Sequence, residues 1–386
     1  MHMRPFCNIN ECTDLQGKYI LVRTSFNVPI ENDVVLNQFR ILRGFTTIKF
    51  LVSQGAKVIL CGHIGSDGTA STKILQPLYE NYFPSVLWSD EVVGASTTNL
   101  RDNLQEGDIL ILENLRKDPR EKKNDLDFAR ALADLADAYV NDAFPVAHRA
   151  HASIVSVPTF LPTYAGHNFV HEYEMLKTAD TPQSPNIFML GGAKFDTKMP
   201  LVEKLLDIYD HVFIGGALAN DFFKARGYAV GESLLSDVDL AGSPLLDNPK
   251  LLLPVDVTVT DGTTSRVTSP DTVAPHEKIM DAGPQTTAML APLIKNAQSI
   301  LWNGPFGNYE AGFDSETMAV AALMADAAGT TIVGGGDTVA SIEALGRGNQ
   351  FTFVSTAGGA MLQFLETKTL PGIEALTQAA TKIRET

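Results

Sequence analysis

Four places in the first 151 residues follow an apolar run with arginine, histidine or asparagine. They are Arg23-Thr-Ser-Phe-Asn27, Gly62-His63-Ile-Gly65, Glu113-Asn-Leu-Arg116, and Asn141-Asp-Ala-Phe leading to His148-Arg149-Ala-His151. Guanidinium groups capture carboxylate and phosphate through two-point contacts. A single Arg or His in a loop is ordinarily structural or solvated. Four such deliveries at equivalent places point instead to an anion site. The arginines are skewed the same way: Arg4, Arg23, Arg40, Arg43, Arg101, Arg116, Arg120, Arg130 and Arg149 precede residue 151, and only Arg226, Arg266, Arg347 and Arg384 follow it.

The second half delivers glycine at the corresponding places. The runs are Gly191-Gly192-Ala-Lys194, Gly215-Gly216, Asn303-Gly-Pro-Phe-Gly307, Gly334-Gly335-Gly336-Asp337-Thr338 and Gly358-Gly359. Glycine lets backbone approach a ligand closely and tolerates positive φ. Free N–H groups at a helix start attract phosphate. One Gly-Gly pair marks a tight turn; this many in one half point to a nucleotide site. Asp337 has the chemistry to hold Mg²⁺, and Thr338 to bond a phosphate oxygen. Lys194 and Lys198, four apart at a helix start, share a face and can neutralise a phosphoryl group in transfer. There is no Walker-type P-loop, and no G-x-G-x-x-G follows the first strand, which argues against a dinucleotide dehydrogenase.

The elements that must carry these residues alternate along the chain. Strands are expected over Tyr19–Phe26, Lys57–Cys61, Val86–Trp88, Ile109–Leu112 and Ala138–Val140 in the first half. In the second half they fall at Ile187–Leu190, Val212–Ile214, Leu251–Val259, Ser299–Trp302, Thr331–Val333 and Phe351–Val354. Helical patterns lie between them, among them Ile41–Gln54, Leu126–Leu135, Pro200–Ile208 and Thr338–Leu345. Such alternation predicts an α/β protein of two Rossmann-like domains, each a parallel sheet covered by helices, with ligands beyond the carboxyl ends of the strands. Val157-Pro158 to Pro162 interrupts the pattern near the middle, and His171–Lys177 reads as a connecting helix beside a hinge. The expected division is 1–168 for the anion domain and 169–369 for the nucleotide domain, with a short amphipathic tail over 370–386.

Composition bounds the partners. The 386 residues are 45% hydrophobic and 19% charged, an ordinary globular balance. The net charge of −15 argues against nucleic acid or an anionic membrane as a main partner. No apolar window is long enough to span a bilayer, and Met1–Gly17 lacks a secretory h-region, so a cytoplasmic location is expected. Three cysteines, Cys7, Cys12 and Cys61, without CxxC spacing read as reduced thiols.

Taken in order, the motifs resemble phosphoglycerate kinase along essentially the whole chain. The matching segments are Leu21-Val-Arg-Thr-Ser-Phe-Asn-Val-Pro29, Leu112-Glu-Asn-Leu-Arg116, Val140-Asn-Asp-Ala-Phe144, Ala147-His-Arg-Ala-His-Ala-Ser153, Leu190-Gly-Gly-Ala-Lys194, Leu253-Pro-Val-Asp256, Trp302-Asn-Gly-Pro305, Gly334-Gly-Gly-Asp-Thr338 and Ser355-Thr356. The resemblance implies reversible transfer from 1,3-bisphosphoglycerate to MgADP, giving 3-phosphoglycerate and ATP. It implies that Arg23, Asn27, His63, Arg116 and Arg149 contact the acid. Arg40 and Lys198, with Lys194 nearby, would stabilise the transferred group as the cleft closes. Gly191, Gly192, Gly215, Gly216, Gly334, Gly335 and Gly336 would line the nucleotide site, Glu310 would contact ribose, Asp337 would coordinate magnesium and Thr338 would meet the phosphates. By the same analogy the tail 370–386 returns to the first domain and the protein is a monomer.

The chain departs from the family pattern at several points. Ser25 stands for Asp, Ser66 for Arg, Lys117 for an aromatic, Pro145 for Gly and Ala357 for Gly. Ser25 and Ser66 fall in the acid site and predict a raised KM for the acid. They keep two alternatives open: a related acyl-phosphate or carboxylate kinase with a different acid, and a non-catalytic nucleotide-binding homologue. Arg40, Lys198 and Asp337 together argue against the second.

Overall fold

The computed structural model describes residues 4–193 and 199–385. The chain divides into two compact units, Met1–Glu174 with Thr367–Thr386, and Met175–Glu366.

The first unit is built on six parallel strands. Their spatial order is Val86–Trp88, Ile109–Ile111, Lys57–Cys61, Tyr19–Arg23, Ala138–Asn141 and Thr163–Ala165. Continuous apolar runs form these strands because both faces of the sheet are covered. Alternation along each strand sends successive side chains to opposite faces. Ile20, Val22, Val58 and Leu60 join a core with Ile41, Phe45, Ile48 and Leu51 of the Phe39–Ser53 helix. Leu21, Ile59 and Leu110 join a second core with Phe128 and Leu132 of the Leu126–Ala133 helix. Asp125 caps that helix, its carboxylate accepting the Phe128 N–H at 2.9 Å.

Register decides what the sheet positions. Arg23 pairs with Cys61 on one side and Asn141 on the other. The segments after these three residues therefore leave the sheet at one edge. The amphipathic tail is a regular helix over Pro371–Glu385 that buries Ile373, Leu376, Ala379 and Ala380. Ala380 joins the core of the first unit, and the Gly372 N–H donates to the Ala147 carbonyl at 2.8 Å.

The second unit has six parallel strands in the order Leu251–Leu252, His211–Ile214, Asn186–Leu190, Ser299–Asn303, Thr330–Gly334 and Phe353–Val354. Asn303 pairs with Leu190 and with Gly334, so the glycine runs after these strands share one edge. One expectation is corrected here. The single strand over Leu251–Val259 is two, because Pro254 has no N–H to continue the ladder. Val257–Thr260 instead pairs antiparallel with Ser265–Thr268 and Lys278–Ala282 in a separate three-stranded sheet. The helix His167–Thr178 is longer than its charged stretch implied and carries the chain from one unit into the other. Among the described residues no helix is long and apolar enough to cross a membrane.

Candidate active site

In the first unit the strand edge assembles a buried basic cluster. Arg23, His63 and Arg116 are at most 8% exposed. Arg23 is held from three sides: Nη1 donates to the Thr24 carbonyl at 2.5 Å, Nε to Ser153 Oγ at 3.1 Å, and Nη2 lies 2.9 Å from His63 Nδ1. Arg116 donates through Nη1 to the Gly65 carbonyl. The Gly65 N–H in turn donates to Asn27 Oδ1 at 2.9 Å, and Arg40 Nη1 donates to the Asn27 carbonyl at 2.6 Å. Arg149 is exposed, with Nε 3.3 Å from His148 Nε2. The expected acid-site residues thus form one bonded group joining the 23–27 and 63–65 turns to Arg116, with Arg149 beside it.

The electrostatics are those of cations gathered without enough counter-charge. Burial, then Arg149 and Arg23, pull the Arg116 guanidinium down to about 10. Burial and the surrounding Arg23, Arg116, Arg149 and His151 hold His63 far below the ordinary histidine range. His151 falls to about 4, first by burial and then through Arg149, Arg23, Arg116 and Lys122. Burial also pulls Arg40 down, while the Glu172 carboxylate acts the other way. Groups that repel one another when empty favour an anion that neutralises them.

Residues outside the expected acid-contacting set complete this cluster. Ser153 Oγ donates to Glu121 Oε1 at 2.6 Å, and Glu121 Oε2 accepts the Ser153 N–H at 2.9 Å. His151 Nδ1 lies 3.9 Å from Glu121. Lys122 Nζ donates to the Ser66 carbonyl, so a cation stands at the turn where Ser66 supplies none. Ser25 is buried, and its Oγ has no hydrogen-bond partner among the described residues. His151 and Ser153 lay within the Ala147–Ser153 motif. Nothing local marks Glu121, thirty-two residues away from its partner.

In the second unit four of the five glycine runs contribute residues to the wall of a pocket of about 680 Å³. Gly192, Gly216, Pro305, Gly307, Glu310 and Asp337 are on its wall. Its floor is backbone packed on backbone. A Cβ on Gly191 would sit 2.1 Å from the Pro305 carbonyl oxygen, and one on Gly216, at φ +63°, 2.8 Å from the Gly192 nitrogen. Main-chain bonds lock the arrangement: Gly191 N–H to the Asn303 carbonyl at 2.8 Å, and Gly192 N–H to the Pro305 carbonyl at 3.0 Å. Gly215 packs under the wall against Phe306. Gly334 closes its strand against Met361, and Gly335, at φ +101°, turns the chain into the Gly336–Ala344 helix. Asp337 opens that helix on the pocket side. Its carboxyl is raised by burial and then by the Glu310 carboxylate, so the two acids act on each other. Thr338, by contrast, is fully buried and is not on the pocket wall. Lys194 and Lys198 lie outside the described residues.

Among the described residues no group of three or more His, Cys, Asp or Glu could hold a metal ion alone. A single carboxylate at the start of a helix, in a pocket of nucleotide size, fits a magnesium ion that arrives with phosphate oxygens as its other ligands.

Two Rossmann-type sheets, one edged by a basic cluster and the other by a glycine-floored pocket, define a two-unit α/β phosphotransferase architecture. Comparison with known proteins narrows this. The phosphoglycerate kinase family model matches residues 9–368. The phosphoglycerate kinase of Clostridium novyi is 42% identical over 95% of this chain and 98% of its own length. That of Pelotomaculum thermopropionicum is 39% identical over 94% of this chain and 97% of its own. Among solved structures, phosphoglycerate kinase from Coxiella burnetii superposes with a TM-score of 0.81 at 35% identity, covering 98% of this chain and all of that one. The enzyme from Pyrococcus horikoshii gives a TM-score of 0.84 at 28% identity, covering 97% of this chain and 99% of that one. The chain belongs to the phosphoglycerate kinase family, a family of phosphotransferases.

Proposed function

We propose that the protein catalyses the glycolytic step in which 1,3-bisphosphoglycerate passes its acyl phosphate to MgADP, reversibly giving 3-phosphoglycerate and ATP. A β-phosphate oxygen of ADP attacks the phosphorus, the bond to the acyl oxygen breaks, and the carboxylate leaves. The observation that carries the reading is the bonded cluster of Arg23, His63, Arg116 and Asn27 at the edge of the first sheet, in a chain whose other sheet edge bears a nucleotide-sized pocket.

In this reading Arg23, Asn27, His63, Arg116 and Arg149 hold the acid. The 191–192 and 215–216 backbones, Glu310 and the 334–337 turn hold the nucleotide, with Thr338 supporting the turn from beneath. Asp337 would hold magnesium, which neutralises the phosphate oxygens during transfer. Phosphoryl transfer needs alignment and charge neutralisation more than covalent help from protein. Arg40 and Lys198 would supply the neutralising charge. Domain closure would bring them to one phosphoryl group and exclude water from the acyl phosphate.

The test is a coupled assay with 3-phosphoglycerate and MgATP, run beside Arg40→Ala and Lys198→Ala. Turnover in the parent protein that falls by on the order of 10²-fold or more in both variants supports the reading. Nucleotide binding without turnover of 3-phosphoglycerate overturns it in favour of another acid, an alternative that the partnerless Ser25 hydroxyl keeps specific.

A further inference from the structure

The acid cluster contains a hydrogen-bond chain whose direction is fixed at both ends. At one end is Glu121, 1% exposed, whose carboxylate oxygens stand as acceptors. It receives the Ser153 hydroxyl proton at 2.6 Å and the Ser153 N–H at 2.9 Å. Having spent its one proton, the hydroxyl can only accept from Arg23 Nε, which stands 3.1 Å away. Arg23 can only donate, because a guanidinium has no acceptor atom. Its Nη2 lies 2.9 Å from His63 Nδ1. Nδ1 must therefore be the acceptor, and the ring proton belongs to Nε2. Which ring nitrogen of a histidine carries the proton is set by the bond the other one makes.

We infer that Glu121 and Ser153 are positioning residues that, acting through Arg23, hold His63 as the neutral Nε2–H tautomer, so that it meets the acid substrate as a hydrogen-bond donor rather than as a cation. This rests on the proposed acid site. The alternatives fail on geometry. A proton on Nδ1, in the other tautomer or in the imidazolium, would set two N–H groups against each other across 2.9 Å with no acceptor between them. Burial and the neighbouring cations Arg23, Arg116 and Arg149 oppose the imidazolium as well. An Nε2 without its proton would face an anionic substrate with a lone pair and repel it.

Ser153 is held independently of Glu121, since Tyr139 Oη donates to its carbonyl at 2.5 Å. The Ser153 backbone is thus tied down even when the carboxylate is changed. Glu121→Gln keeps the shape but replaces one acceptor with a donor. It frees the Ser153 proton to turn toward Arg23, which loosens the Arg23 grip on His63.

The experiment uses the full chain, ¹⁵N-labelled in histidine, with two-bond ¹H–¹⁵N correlation spectra near pH 7. The His63 signals are assigned by their loss in His63→Gln. The expected result is a pure Nε2–H pattern in the parent protein and a mixed pattern in Glu121→Gln and Ser153→Ala. Ser153→Thr, which keeps the hydroxyl, should restore the parent pattern. KM for 3-phosphoglycerate should rise roughly tenfold in Glu121→Gln and Ser153→Ala, with kcat and the KM for MgATP nearly unchanged. An imidazolium or Nδ1–H pattern in the parent protein overturns the inference, whether or not any variant folds. So does a single unchanged tautomer in both variants. The spectra do not depend on turnover: a pure Nε2–H pattern in a protein that fails to phosphorylate 3-phosphoglycerate would leave the tautomer standing and remove only the proposed reaction.

Discussion

Arg23 Nη2 stands 2.9 Å from His63 Nδ1, and both side chains are at least 96% buried. A donor-only group facing one nitrogen of a histidine decides the charge of the other. It follows that His63 should not titrate in the working range. The acid substrate's own phosphate titrates near pH 6, so a bare pH profile is ambiguous. The informative comparison is KM for 3-phosphoglycerate against pH in the parent protein and in His63→Gln. Both curves should inflect at the same pH, with the variant displaced upward by roughly tenfold. An inflection near 6.5 that vanishes in the variant would show a titrating His63.

The same depressed histidines make the fold acid-sensitive, and the sign follows from where protons bind. Unfolded histidine titrates near 6.5, whereas native His151 is held at about 4 and His63 is held far lower. Between pH 6.5 and 4 the unfolded chain binds protons that the native chain refuses. Their contribution is complete above 6.5 and is lost as pH falls through that window. Asp142 and Asp281, each buried and raised to about 7, act with the opposite sign: their contribution is complete below about 4 and lost as pH rises through 7. Substituting His151→Asn isolates one member. Its free energy of unfolding should fall less than the parent's between pH 6.5 and 4.5, by on the order of 1 kcal/mol after allowance for its partial exposure. Parallel curves would sink the assignment.

How much of this could be read from the chain depends on the range of the interaction. Lys57–Cys61 and Val86–Trp88 form strands as expected, because a short apolar run between turns is a local signal. Arg23, His63 and Arg116 meet because parallel strands end together, which alternation already implied. The antiparallel sheet around Val257–Thr260 was not legible: Ser265–Thr268 is a polar, exposed strand whose only argument for existence is its partner. Glu121 was not legible for the same reason. Its role is a tertiary bond to Ser153, and on its own it reads as one charge in a charged stretch. Asp337 and Thr338 show the limit of a motif: adjacent in sequence, they part at a helix start, one toward the pocket and one into the core.

The pocket floor predicts a sharp effect from one added carbon. Gly216 has φ +63°, and its Cβ would stand 2.8 Å from the Gly192 nitrogen and 3.0 Å from the Pro305 carbonyl oxygen. Those are backbone atoms, locked by the Gly192 N–H to Pro305 carbonyl bond, so they cannot swing aside as a side-chain end could. Gly216→Ala should weaken MgADP binding at least tenfold, as measured by calorimetry, because the loop must shift to admit the methyl. Binding of 3-phosphoglycerate, assigned to the other unit, should change little. Unaltered nucleotide affinity would mean that the floor is not where the nucleotide rests.

Ser66 and Lys122 give the last prediction. The family resemblance places an arginine at 66, and its loss predicted a weak grip on the acid. The structure puts Lys122 Nζ on the Ser66 carbonyl, and Lys122 is among the cations that depress His151, so its field reaches the cluster. The charge missing from position 66 is therefore present at the same turn, carried on a different side chain. An exposed lysine acts mainly through its field, which salt screens over about 10 Å at 0.1 M. Lys122→Ala should raise KM for 3-phosphoglycerate about three- to tenfold at low ionic strength and by less at high, with kcat held. Ser66→Arg in that background should restore the parent KM, while in the parent protein it should add little. A large gain from Ser66→Arg alone would mean that Lys122 does not stand in for the missing charge, and that the acid site of this chain is weakened as the sequence implied.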